Sequence, residues 1–118
     1  MIYILCYQRK LHHAWHYCGY AEDEKRLRKR VRLHAEGYGA NITKEFCKAG
    51  IPFHVSRVMM GGRDRERQIK RAGVTKYCPV ATGGGKFIRK NVFLEKIRQR
   101  ANQELEQYYQ FKINKVLQ

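Results

Sequence analysis

Arg30 and His34 stand four residues apart in a stretch where six of the eight residues 25–32 are Lys or Arg. On a helix that spacing stacks the two on one side, flanking Leu27 and Val31, which must face a core. Side chains at such a boundary line a cleft. An arginine fork there holds phosphate, and an imidazole moves protons near neutrality; the plainer reading is a solvated basic face. Glu66 lies in Arg63-Asp64-Arg65-Glu66-Arg67, with Lys70 four residues on. It reads equally as a surface carboxylate neutralised by its neighbours and as a ligand for Mg²⁺, which takes one or two protein carboxylates plus phosphate and water. Tyr3 and Tyr17 fall in strand-like segments, where aromatics are core or cross-strand pairs, or bases where nearby cations favour phenolate.

These residues need elements to hold them. Residues 2–7 and 14–18 alternate β-branched and aromatic side chains around a polar stretch, 8–13, that can turn, so a β-hairpin is expected. Residues 22–36 repeat Leu27, Val31 and His34 at helical spacing, with acids Glu22, Asp23 and Glu24 in the first turn and Gly37 beyond the end. A short helix over 43–48, a third strand over 52–60 and a third helix over 63–72 follow, the last with a poor apolar stripe. Gly83, Gly84 and Gly85 form a linker, because three glycines carry too much backbone entropy to sit inside an element. Residues 91–117 then make a helix about 40 Å long, with Leu94, Ile97, Ala101, Leu105 and Tyr108 on one face. The expected domains are 1–82, a linker 83–90, and a C-terminal helix 91–118.

The composition names a partner class. The 118 residues carry 25 Lys plus Arg against 10 Asp plus Glu, a net charge of +15. Residues 1–85 contribute +10 and residues 86–118 contribute +5. The charge is therefore spread over a folded chain, a field that favours phosphate backbones. With 43% hydrophobic residues the chain can build a core, which excludes a disordered tail. Its longest apolar opening, residues 1–7, is far too short to span a bilayer, so no membrane association and an intracellular, cytoplasmic location are expected. Cys6, Cys18, Cys47 and Cys78 show no CxxC spacing and read as packed thiols in a reducing compartment; a zinc site drawing on His12, His13 or His16 would lack the usual paired spacing.

In order, Met1-Ile2-Tyr3, Tyr17-Cys18-Gly19, residues 27–34 with Arg30 and His34, Gly37-Tyr38-Gly39-Ala40 with Thr43, Glu66 in a basic helix, and Tyr77-Cys78-Pro79 resemble the GIY-YIG nuclease superfamily. The match covers roughly residues 1–80. The resemblance implies an α+β fold: a small three-stranded antiparallel sheet flanked by helices, here with an extra long C-terminal helix. It implies hydrolysis of DNA phosphodiesters with one divalent ion, Mg²⁺ or Mn²⁺, per active site. Carried over, Tyr3 is the first motif's tyrosine, and Tyr17 with Gly19 belongs to the second. Arg30 contacts the scissile phosphate, His34 follows one turn later, and Glu66 binds the metal. Arg26 competes with Arg30 for the phosphate, but only Arg30 has His34 a turn on. Arg28, Lys29, Arg32 and Lys70 join Gly19 and Arg26 as expected substrate contacts. The first motif opens on Met1 instead of glycine, and the family's later asparagine has no counterpart in residues 78–81.

The expected function is thus a metal-dependent DNA endonuclease of low sequence specificity, since few elements remain to read bases. Tyr3, Tyr17 and His34 all stand as candidate general bases. The rival is a non-catalytic basic nucleic-acid-binding protein, which explains the charge equally well. The apolar stripe of the last helix must be covered, either by the domain or by a second copy in a homodimer.

Overall fold

The computed structural model of the chain describes residues 1–83 and 91–117. Within them the fold is α+β. A three-stranded antiparallel sheet of order β2-β1-β3 is built from β1 (Ile2–Leu11), β2 (Ala14–Tyr20) and β3 (Phe53–Met59). As the central strand, β1 is covered on both faces, which is why residues Ile2 to Tyr7 are all buried. Alternation sends Tyr3, Leu5 and Tyr7 to one core and Ile2, Ile4 and Cys6 to the other.

The hairpin is longer than its apolar pattern. Gln8, Arg9 and Lys10 are exposed but stay in β1, and the chain reverses at His12, whose φ is 55°. Backbone pairing carries the strands past the end of the core, to Leu11 opposite Ala14; Trp15 steadies this arm by donating its indole N–H to Tyr7 O at 2.9 Å. Side-chain pattern registers burial, and residues 8–10 have none, so a polar turn over 8–13 was the wrong expectation. In β3, Ser56 is an extra residue: Ile4 pairs with Arg57 and Leu5 with Val55.

Helix α1 (Glu24–Ala35) starts two residues later than its acids suggest, because Asp23 caps it, accepting from Arg26 N at 2.8 Å. It buries Leu27, Val31, His34 and Ala35 against the first face of the sheet. Helix α2 (Asn41–Lys48) seats Phe46 on Tyr7, ring centroids 3.6 Å apart. Helix α3 (Arg63–Ala72) has the expected bounds and covers the second face with Ile69. A 3₁₀ turn (Val74–Tyr77) and a one-turn helix, α4 (Pro79–Thr82), follow it and are not apparent from the sequence pattern. Gly83 ends α4 in the left-handed region at φ 63°; the remainder of the expected linker, residues 84–90, lies outside the described residues.

Helix α5 (Val92–Leu117) buries Leu94, Ile97, Ala101 and Leu105 in the same core as Tyr3, Leu5 and Val31, with Tyr108 half-buried beside them. The chain itself covers the stripe for which a second copy was an alternative. Polar contacts fix its register. Asn102 accepts from Val55 N at 2.7 Å and donates to Val55 O at 2.9 Å, and the Tyr109 hydroxyl accepts from Phe53 N at 3.3 Å. These bonds satisfy backbone groups that edge strand β3 would otherwise present to solvent. Arg28 to Glu104 and Arg100 to Glu24 tie α5 to α1. No helix among the described residues is long and apolar enough to cross a membrane.

Candidate active site

Sheet register places Tyr3 opposite Gly19 and Leu5 opposite Tyr17, so the two tyrosines are diagonal neighbours on the face covered by α1. The glycine is a steric necessity. A Cβ at position 19 would lie 2.2 Å from Tyr3 Cζ and 2.3 Å from its hydroxyl, because the Tyr3 ring lies across this strand. Its hydroxyl meets His34 Nε2 at 2.8 Å, and the Tyr17 ring stands edge-on to the same imidazole, centroids 4.9 Å apart.

The other side of His34 decides its tautomer. Thr43 donates its only hydroxyl hydrogen to Ala40 O at 2.8 Å, so at 3.2 Å from His34 Nδ1 it must accept. His34 therefore carries its proton on Nδ1 and accepts the Tyr3 hydroxyl hydrogen at Nε2. Gly39 admits this arrangement: its φ is +104°, and a Cβ there would press on the imidazole at 3.0 Å. Thr43 is the orienting residue, and Ala40 its anchor.

Helix α3 approaches along β2. Lys70 Nζ sits 5.4 Å from the centroid of the Tyr17 ring and 3.4 Å from Glu66 Oε2, while Arg63 lies 3.8 Å from Oε1. Glu66 is only 8% exposed although its helix is otherwise strongly basic. Arg30, half-buried on α1, is close enough that its charge acts on Tyr3, Tyr17 and His34. Burial is the largest influence on all three: it pushes both phenols up, and together with Arg30 it brings the imidazole down to about 4. At neutral pH the group holds its phenolic protons, and His34 is an uncharged acceptor.

The structure thus brings together Tyr3, Tyr17, Gly19, Arg30, His34, Glu66 and Lys70. It separates the other basic residues of α1. Arg26 is exposed and ion-paired to Glu22 and Asp23. Arg28 lies on the opposite flank of the Leu27 and Val31 stripe, held by Glu104 and Glu24. Arg32 pairs with Glu36, and Lys29 faces solvent. A run of six cations on a helix necessarily points around its whole circumference, so spacing, not density, selects Arg30.

Comparison with protein-family models, curated proteins and solved structures finds no match to this chain.

The His34 environment predicts a pH effect on stability. In the unfolded chain the imidazole takes a proton near pH 6.5, but in the folded chain only near 4. Between those values the unfolded state binds more protons, so stability falls as pH drops through this window. The loss is on the order of 3 kcal/mol by pH 4. His54 is also lowered by burial and adds an effect of the same sign. Comparing denaturant midpoints of wild type and His34→Gln from pH 7 to pH 4 isolates the His34 part: the variant should show the shallower acid loss, and parallel curves would refute this assignment.

Proposed function

We propose that this protein is an endonuclease that hydrolyses DNA phosphodiesters with one divalent cation, Mg²⁺ or Mn²⁺, at each active site. The observation that carries the reading is the convergence of Tyr3, Tyr17, Arg30, His34 and Glu66 from four elements around one hydrogen bond, that of Tyr3 to His34. Core packing requires none of this polarity, and a generic binding surface has no use for a buried carboxylate beside one buried and one half-buried phenol.

The donor set fits a hard cation. Glu66 offers carboxylate oxygen engaged, among the described residues, at 3.4 and 3.8 Å by flexible cationic side chains, and a single protein carboxylate suffices for Mg²⁺ when phosphate and water complete its shell. A cation held by Glu66 would supply positive charge where the phosphate and the leaving oxygen become more negative. Arg30 holds the phosphate through its planar fork, and Lys70 and Arg63 add charge at its margin. The attacking water gives its proton to the Tyr3 oxygen as Tyr3 passes its own to His34 Nε2. Thr43 keeps that nitrogen free by holding the Nδ1 proton. The relay avoids a free phenolate, which burial of Tyr3 disfavours.

Incubation of the purified protein with supercoiled plasmid, with and without Mg²⁺, tests the reading. Nicked and linear products that need the metal are expected. Retarded but intact plasmid would instead identify a non-catalytic nucleic-acid-binding protein.

A further inference from the structure

The opposite face of the sheet carries a second cluster. Cys6 on β1, His16 on β2 and Cys78 immediately before α4 bring two sulfurs and a ring nitrogen within 4.8 Å of one another. We propose that Cys6, His16 and Cys78 bind one Zn²⁺ per chain as a Cys₂His site, with water from the adjoining groove in the fourth position.

The register sets the row. Cys6 pairs with His16 on one side and with His54 on the other. Because alternation turns Cys6 away from Tyr3 and Tyr7, this cluster lies on the other face of the sheet from the Tyr3 and His34 group. Both cysteines are buried and free, and their thiols hydrogen-bond to each other.

His16 supplies the strongest observation. Its Nδ1 lies 3.1 Å from Thr75 Oγ1, whereas its Nε2 is buried with no hydrogen-bond partner of its own among the described residues, and the ring acts on the Cys78 sulfur. With the Nδ1 proton donated to Thr75, Nε2 presents a bare lone pair beside two sulfurs. Metal-ligating histidines are oriented in this way, by donating the other ring N–H to an oxygen. Thr75 belongs to the same turn that delivers Cys78, so one segment provides both a ligand and the group that aims another.

Two sulfurs and an imidazole suit Zn²⁺ and reject Mg²⁺, which takes oxygen. Zn–S and Zn–N bonds of about 2.3 and 2.0 Å put tetrahedral ligands about 3.3–3.8 Å apart, so the cluster need close by only about 1 Å. A groove of about 370 Å³ lined by Cys6, Trp15, His54 and Val80 reaches the cluster at Cys6, and through it the ion and its water ligand would enter. Bound zinc would fasten the turn and α4 to the hairpin.

The test uses the full chain, reduced and freed of metal with a chelator, then titrated with Zn²⁺ and with Co²⁺ as a spectroscopic probe. One metal per chain is expected, with a thiolate-to-cobalt charge-transfer band and tetrahedral d–d bands. Cys6→Ser and Cys78→Ser should lose the charge-transfer intensity, and Cys47→Ser should keep it. Thr75→Val retains all three ligands and should weaken zinc binding by about 10–100-fold, which keeps the proposal testable where a cysteine variant fails to fold. Reduced wild type that takes up no metal, a cobalt spectrum without charge transfer, or a folded Cys78→Ser variant that binds like wild type would overturn it. A reduced protein indifferent to metal that forms a disulfide between Cys6 and Cys78 in air would also overturn it, by identifying a redox pair.

Discussion

Glu66→Gln is expected to lower Mg²⁺-dependent cleavage of duplex DNA by about 10³-fold or more while leaving DNA affinity intact. The size follows from the chemistry. A metal that neutralises developing charge at phosphorus and at the leaving oxygen contributes several kcal/mol to the transition state, and each 1.36 kcal/mol is tenfold in rate. Glutamine keeps the volume at this nearly buried position and removes the charge that a cation needs. The surrounding Arg63 and Lys70 lose their counter-charge, so affinity for the polyanion should hold or rise. Cleavage rates under single-turnover conditions, with binding measured in Ca²⁺, separate the two effects. Wild-type turnover in the variant would place the metal elsewhere. Arg30→Ala should likewise lose far more activity than Arg26→Ala, because Arg30 acts on the Tyr3, Tyr17 and His34 group whereas Arg26 is occupied by Glu22 and Asp23. Equal losses would count against the Arg30 assignment.

A chain ending at Gly83 should fail to fold. Helix α5 contributes Leu94, Ile97 and Leu105 to the core shared with Tyr3, Leu5 and Val31. Burial of each is worth about 1.5–3 kcal/mol, so together they supply about 5–9 kcal/mol. A small domain has only about 5–15 kcal/mol of net stability. The loss would also expose the Val55 and Phe53 backbone groups now bonded to Asn102 and Tyr109. The truncated chain should therefore show no cooperative thermal transition by circular dichroism. Ile97→Ala, which leaves the helix in place, should remain folded but less stable by about 2–5 kcal/mol. A truncated chain that melts sharply near the wild-type temperature would mean that α5 is an accessory.

Much of this was present in the order of residues. Local patterns suffice for local structure: Leu27, Val31 and His34 recur at helical spacing, and α1 follows; the bounds of α3 could be read from Gly62 and Gly73 on either side. The spacing of Arg30 and His34 placed both on one flank of α1 before any sheet was known, since a helix is a one-dimensional object with a fixed period. The position of Glu66 in a basic helix was equally legible, but its burial was not, because exposure depends on what β2 lays beside it. Gly19 was visible as a glycine in a strand; its reason, the Tyr3 ring lying across it, required the register of two strands.

Only the tertiary structure decided what residues distant in the chain do together. Thr43 and Ala40 select the His34 tautomer through a bond between two helices. Asn102 completes the edge of β3 from a helix more than 40 residues further on. Cys6, His16 and Cys78 have no spacing that signals metal, yet two pairing registers and one turn gather them within 4.8 Å. Sequence periodicity records which face of an element is buried; it holds no information about which faces meet, because that is settled by the long-range closure of the sheet and by the one way α5 can cover its apolar stripe.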